Sequence, residues 1–333
     1  MFHHVHYYLW SLGMLNKEIW TAWHVSQRSR NLASELELQV FEKVIENNLL
    51  SRHLFSSIWT IYTFLKVRPE KIYIQYSFLL LVIAAGYKKL APYPVSIICD
   101  CHTKALRRKV SGSIGKLFWF LKKKSFQSVN ISIVSNIEMK HDIEKLTMRY
   151  CVLPDKIPRV SANASRDINE THCVFVCSYA ADEPLNDVIA AAERLDGSVK
   201  MFCTGKIPAN MKHLKANPHK NIIFTDFLSQ VEYYNLISNA DCVLALTTEE
   251  GCLQCAGYEA LSAEVPMILS DTTALKAYFE DAAIYVKHSA QDLEIGVRKA
   301  IKSRSDLLYR MSRVREAREY EYASALNILV SAI

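Results

Sequence analysis

Glycine is scarce, with nine in 333 residues. None falls in a Gly-x-Gly-x-x-Gly or a Gly-x-x-x-x-Gly-Lys-[Ser/Thr] order, so the main signals of a nicotinamide enzyme and of a P-loop nucleotidase are missing. A Gly-x-Ser-x-Gly nucleophile elbow is absent too, as is an Asp-x-Asp pair that would seat two carboxylates on a divalent ion. No apolar run approaches the roughly 20 residues of a spanning helix; the longest, Phe78 to Gly86, runs straight into Tyr87, Lys88 and Lys89. The amino terminus has no Lys or Arg ahead of its apolar residues and no small-residue cleavage site, which argues against a secretory signal. A cytoplasmic start lying as a surface helix is the expectation, with His3, His4 and His6 a frayed tail rather than a metal site.

Acid is short in one half only. Residues 1–160 carry 23 Lys and Arg against 11 Asp and Glu, a charge of +12, whereas residues 161–333 carry 17 against 23, a charge of −6. The first half therefore suits an anionic partner: a phospholipid surface, phosphate groups or nucleic acid. The nine cysteines fall mostly inside apolar strand-like runs (Cys99, Cys173, Cys177, Cys203, Cys242), as small buried hydrophobes of a reduced compartment. Cys252 and Cys255 have Cys-x-x-Cys spacing but no second pair and no flanking His, which argues against zinc and against a redox pair.

What is abundant is apolar side chain, half of all residues, with only 22% charged. That composition belongs to a folded globular chain of about two domains. Short β-branched runs alternate with helix-period runs, the pattern of parallel strands joined by crossover helices. The first set of strands is predicted at 19–25, 38–44, 71–75, 95–100, 130–134 and 150–153, with helices over 54–65, 79–89, 116–126 and 137–146. A polar, turn-rich stretch from Pro154 to Glu170 breaks both periods where the charge changes sign, and marks a domain boundary. Beyond it strands are predicted at 172–177, 199–204, 221–225, 241–246, 265–269 and 283–286, with helices over 185–195, 230–238, 255–262 and 293–302. The expectation is a first doubly wound domain over 1–160, a second over 161–304, and a tail of one or two helices over 305–333. Two such units leave a cleft between them, and ligands of open α/β sheets sit off the carboxyl ends of the strands.

Residues 241–270 are the most informative. A buried strand runs into the acidic turn Glu249-Glu250-Gly251, then a helix from Cys255, then Pro266 and another strand. Such a turn presents backbone N–H groups at a helix N-terminus, where a diphosphate binds. Glu259 lies well inside the helix, beside Ala260 and Ala263, placed to face the cleft.

This segment resembles the carboxyl-domain signature of GT-B fold glycosyltransferases, specifically glycosyltransferase family 4 (glycosyl transferases group 1). The resemblance implies two Rossmann-like domains facing a central cleft, with C-terminal helices packing back across the interface. It implies that Glu259 holds the ribose hydroxyls of a nucleotide-sugar donor, and that Thr248 and Glu250 through Gln254 (with Gly251, Cys252 and Leu253) meet sugar and diphosphate. The family's two glutamates stand eight positions apart; here Glu250 and Glu259 are nine apart and the eight-apart position is Gly251. Val174 to Ser178 is similar to the family's opening strand and turn, Met201 to Lys206 to its next strand and glycine (Gly205), and Ile223 to Leu228 to the place that holds the base, with Phe227 there. The family's Arg and Lys on the first of these turns are replaced by Ser178 and by Asp182-Glu183-Pro184, leaving Lys206 as the positive charge.

In the first half the resemblance places a donor-contacting histidine at His102, after the strand ending in Asp100; bonding of that His to Asp100 is the plain structural reading. Gln27, Arg28 and Arg30 open a helix after the first strand, where the arginines would either fork onto an acceptor pyrophosphate or pair with Glu35 and its neighbours. Lys104, Arg107, Arg108, Lys109, Lys116 and Lys122 to Lys124 surround Leu117-Phe-Trp-Phe-Leu121, a pattern that fits an anionic membrane interface, an RNA backbone or an ordinary amphipathic helix; the membrane is favoured and nucleic acid is not expected.

The resemblance thus implies transfer of a sugar from a nucleoside diphosphate sugar, without a metal or other cofactor, with retention, His102 and Glu250 being catalytic. A lipid-linked saccharide in surface polysaccharide assembly is the expected acceptor, at the inner face of the plasma membrane. Two alternatives stand: a sugar-nucleotide 2-epimerase of the same fold, and a non-catalytic partner subunit whose altered turn marks a lost donor site.

Overall fold

A computed structural model describes residues 17–45, 49–107, 111–147, 149–160, 170–216 and 218–333. The N-terminal histidines, Arg108, Lys109 and most of the turn-rich stretch before Glu170 lie outside the described residues. The described chain divides into two compact units: Met1–Ile133 with Ile143–Tyr150, and Val134–Asp142 with Cys151–Ile333.

The first sheet is built from β1 (Glu18–Ala22), β2 (Gln39–Glu42), β3 (Lys71–Gln75), β4 (Ser96–Cys101), β5 (Ile131–Val134) and β6 (Tyr150–Val152), in the order β2-β1-β3-β4-β5-β6. Its pairing is parallel at β1–β2, β1–β3 and β3–β4. Helices α1 (Gln27–Glu35), α2 (Leu49–Val67), α3 (Phe78–Leu90), α4 (Thr103–Arg107), α5 (Gly112–Phe126) and α6 (Lys140–Glu144) connect the strands. Ser26 starts α1 by accepting from the Ser29 amide, one of the donors a helix N-terminus leaves unpaired. Trp20, Ile72, Ile74 and Ile97 are fully enclosed, as the near-continuous apolar strands of a two-sided parallel sheet require.

The second sheet comprises β7 (Thr171–Phe175), β8 (Val199–Thr204), β9 (Ile222–Asp226), β10 (Cys242–Ala245), β11 (Met267–Ser270) and β12 (Ala283–Val286), in the order β12-β11-β10-β7-β8-β9. All of its pairs are parallel. Around it stand α7 (Leu185–Arg194), α8 (His213–Ala216), α9 (Gln230–Ser238), α10 (Cys255–Ala263), α11 (Thr273–Phe279), α12 (Ala290–Lys302) and α13 (Arg304–Ala332). Each unit is a doubly wound α/β layer, the architecture of the GT-B fold. Helix α9 opens with a reciprocal capping box between Ser229 and Glu232.

Two expectations need correction, and that for the tail is narrowed. The helix predicted over 137–146 is a 3-10 turn, Ile137–Met139, followed by the five-residue α6. Asn136 gives it no cap, because its side-chain amide donates to the Gly251 carbonyl at 2.9 Å instead. The tail is one continuous helix of 29 residues, held by Arg318, which is buried against the Tyr278 ring and donates to the Tyr278 carbonyl at 2.7 Å. Lys122, grouped above with its exposed neighbours, points inward: it is 1% exposed, donates to the Leu106 carbonyl at 2.5 Å and lies over the rings of Tyr76 and Trp119.

Candidate functional site

In an open parallel sheet the binding position is the point where successive connections leave in opposite directions. In the second sheet the chain runs from β7 through β8 to β9 on one side, then returns to β10 and proceeds through β11 to β12 on the other. The switch point therefore lies between the carboxyl ends of β7 and β10. Ser178 follows β7, and the turn from Thr247 to Gln254 follows β10.

The two turns are stitched together by Asp182. Its carboxylate accepts from the Thr247 hydroxyl at 2.9 Å and its carbonyl from the Thr248 amide at 2.8 Å. Below them, the Ser270 hydroxyl accepts from the Thr247 amide at 2.8 Å and lies 2.7 Å from His288 Nε2. Burial holds the His288 pKa below its ordinary value, opposed by nearby Asp187.

The turn itself needs Gly251 at φ +77°. Its carbonyl is the acceptor for Asn136. Gln254 is the N-cap of α10, but its side chain reaches back to the Leu246 carbonyl at 3.1 Å rather than capping. Cys252 and Leu253 are half-buried on the way. Glu250, read as a sugar-side residue, is turned to the N-terminus of α11, where its carboxylate accepts from the Thr273 amide at 3.1 Å. That contact satisfies one of the amides left open at the start of α11, beside the Thr272 cap.

Glu259 sits on α10 directly behind the turn. The hydroxyl of Tyr233, on α9, donates to its carboxylate at 2.5 Å. Desolvation pushes the Glu259 pKa above the ordinary carboxylate value, and the tyrosine bond pulls partly back. The Tyr233 hydroxyl is itself driven well above its usual range, by burial first and by the glutamate charge second. Gly257, two residues earlier on the helix, lies against α11: a Cβ there would come within 2.7 Å of the Phe279 ring.

The turn after β7 is already occupied by a carboxylate. Glu183 accepts from the amides of Ser178 and Ala180, both at 2.9 Å, and from the Ser178 hydroxyl at 2.9 Å. Three donors that would suit a phosphate are thus turned onto a side chain of the same loop. Across from it Gly205 has φ +88°, and a Cβ would stand 2.2 Å from the Cys177 carbonyl oxygen. Lys206 is exposed beside that glycine, and Phe227, just past β9, is 81% exposed.

The first unit gathers a separate set at its own switch point, the ends of β1 and β3. Arg28 forks onto Asp100, Nε to the two carboxylate oxygens at 2.9 and 3.1 Å, with both side chains buried. Arg30 pairs with Glu42 at 2.7 Å. Gln27 donates to Asn31 on the same helix at 2.8 Å. The arginines thus meet Asp100 and Glu42, and their fork geometry is engaged by carboxylates. His102 stands between Gln75, at 3.1 Å from the amide nitrogen, and Asp100, at 3.8 Å. His24 lies near enough that burial and His102 together keep its pKa low.

Tyr233, Glu183, Asp182, Gln75 and Asn136 had no place in the sequence reading as site residues. Only Asp182 and Glu183 left a signal, standing where the resemblance places a cation.

Residues 165–319 match the family described as glycosyl transferases group 1. The second unit is a glycosyl transferases group 1 domain. The enzyme class that goes with this domain is glycosyltransferase. No curated protein matches the chain by sequence. Among solved structures, HepE of Anabaena in complex with UDP is similar at a TM-score of 0.68 and 11% identity, covering 94% of this chain and 90% of that one. A putative UDP-N-acetylglucosamine 2-epimerase of Listeria monocytogenes is similar at 0.63 and 12%, covering 95% of each chain. The lipopolysaccharide outer core galactosyltransferase WaaB matches at 0.58 and 11%, covering 93% and 98%. At these identities the likeness establishes the GT-B fold. The glycosyltransferase domain supplies the class.

Proposed function

We propose that the protein transfers a sugar from a nucleoside diphosphate sugar, bound by the second unit, to a lipid-linked saccharide in surface polysaccharide assembly. The observation that carries this reading is the position of Glu259: a half-buried carboxylate behind an amide-rich turn, at the switch point of a glycosyl transferases group 1 domain. In this reading Glu259 accepts both ribose hydroxyls, and Tyr233 fixes the carboxylate for them. The departing diphosphate is met by the α10 N-terminus and Lys206, without a metal, and His102 stabilises developing charge. Gly251 lets the turn backbone approach the sugar, and Phe227 offers a face to the base. Retention at the anomeric carbon belongs to the same proposal. The UDP held by HepE supports uracil as the base. A cytoplasmic protein peripheral to an anionic membrane would meet such an acceptor.

A second reading has one observation in its favour. Glu183 fills the first turn with negative charge, as a chain that no longer binds a diphosphate there would.

A thermal-shift panel with UDP, GDP, ADP, CMP and NAD separates the two. A ligand at 100 times its Kd stabilises the native state by about 2.7 kcal/mol. A shift with one nucleoside diphosphate and none with NAD supports the transferase; no shift with any of them supports the partner subunit. Formation of a new sugar nucleotide from donor alone would instead support the epimerase.

A further inference from the structure

Helix α2 is built inside out. Leu50, Leu54, Ile58, Ile61 and Leu65 follow one another at steps of four, four, three and four, which is one stripe of a helix. They are 84, 59, 55, 46 and 63% exposed. The inward face carries hydroxyls instead: Ser56, Thr60 and Thr63 are buried beside Phe64. Thr60 accepts from the Trp23 indole at 2.9 Å and donates to the Ser56 carbonyl at 2.8 Å, so the polar interior is specifically bonded. An apolar stripe of this length turned outward marks an interaction surface.

Charge selects the partner. Helices α2, α3 and α5 contain no Asp or Glu at all. Helix α3 packs against both of the others, and the connections from β2 through β5 all progress in one direction across the sheet. Right-handed crossovers therefore set the three on one face. Around the stripe Arg52, Lys66, Lys89, Lys116, Lys123 and Lys124 are exposed, and α5 adds Leu117, Phe120 and Leu121. A second copy laid on this face would bring bases against bases, with no acid from these three helices to meet them.

We propose that this face docks the first unit on an anionic phospholipid bilayer, with the α2 stripe in the boundary between headgroups and acyl chains and the lysines reaching lipid phosphates. It gives the lipid-linked acceptor of the proposed function a reason to be in reach, and rests on that reading for its purpose only; binding itself needs no nucleotide.

Flotation of the whole chain with vesicles of phosphatidylcholine alone, and of equal phosphatidylcholine and phosphatidylglycerol, is the test. The wild type should float with the mixed vesicles. Leu54→Gln with Ile58→Gln and Ile61→Gln, all at exposed positions, should weaken partitioning more than tenfold, since each exchange removes apolar surface from the lipid. Lys116→Ser with Lys123→Ser and Lys124→Ser should abolish the preference for the anionic vesicles. Thermal shifts with the nucleotide panel on the same samples should be unchanged by either set, which separates failure of this proposal from failure of the donor site. A wild type that stays in the aqueous fraction, a glutamine variant that floats like it, or a dimer in light scattering that the glutamine variant dissociates would each overturn the proposal.

Discussion

Tyr233 donates its hydroxyl proton to Glu259 across the contact between α9 and α10, at 2.5 Å. The carboxylate assigned to the proposed donor site is therefore oriented by a residue 26 positions away on another helix. Because burial raises the Glu259 pKa above 4.5, the folded chain holds that proton more tightly than the unfolded one. The stability this adds is whole below pH 4.5 and is lost as pH rises through the raised value. Glu259→Gln should lack that decline, so its urea midpoint should be flatter than that of the wild type between the two values.

The same carboxylate sets affinity. Glu259→Ala should weaken binding of the stabilising nucleoside diphosphate by about 1.5–3 kcal/mol, or roughly 10- to 150-fold, as loss of a charged hydrogen-bonding group does. Calorimetric titration reads it directly. An unchanged affinity would remove Glu259 from the donor site.

Glu183 holds the amides of Ser178 and Ala180 that the proposed donor site would offer to a diphosphate. Glu183→Gln keeps an acceptor in the turn but removes its charge, and should tighten nucleoside diphosphate binding by up to about fivefold, the scale of one screened charge pair. Binding of the uncharged nucleoside should stay as it is. Equal gains for both would show that the loop had only relaxed.

Stability is concentrated at two other places. Arg28→Met leaves Asp100 buried without its guanidinium and should cost about 3–5 kcal/mol in urea denaturation; Arg28→Met with Asp100→Leu should recover part of that. Gly205→Ala sets a Cβ against the Cys177 carbonyl in a left-handed conformation, and should cost about 1–3 kcal/mol in the same measurement.

The two six-stranded sheets were legible because their strands are short, β-branched and buried on both faces. The α10 turn was legible through Glu250, Gly251 and Pro266, local features whose spacing alone is a signal. Glu183 and Tyr233 were not, because what they touch is decided by packing between segments: nothing in the residues around Tyr233 says that α9 will lay it against α10. Helix α2 misled in another way. Its apolar period was sound evidence of a helix, yet the period carries no sign, and the stripe faces out while threonines face in. Lys122 shows the converse, a charge written among lysines and enclosed by aromatic rings.

The chain passes between the two units three times, at 133/134, 142/143 and 150/151. A fragment starting at the turn-rich stretch, however well it matches the family, omits Val134–Asp142 and with it the Asn136 amide that holds the Gly251 carbonyl. Excising the second unit by cutting once would thus remove a fastener from the turn after β10. An isolated second half should be made by grafting 134–142 back onto it, or not compared with the whole protein at all.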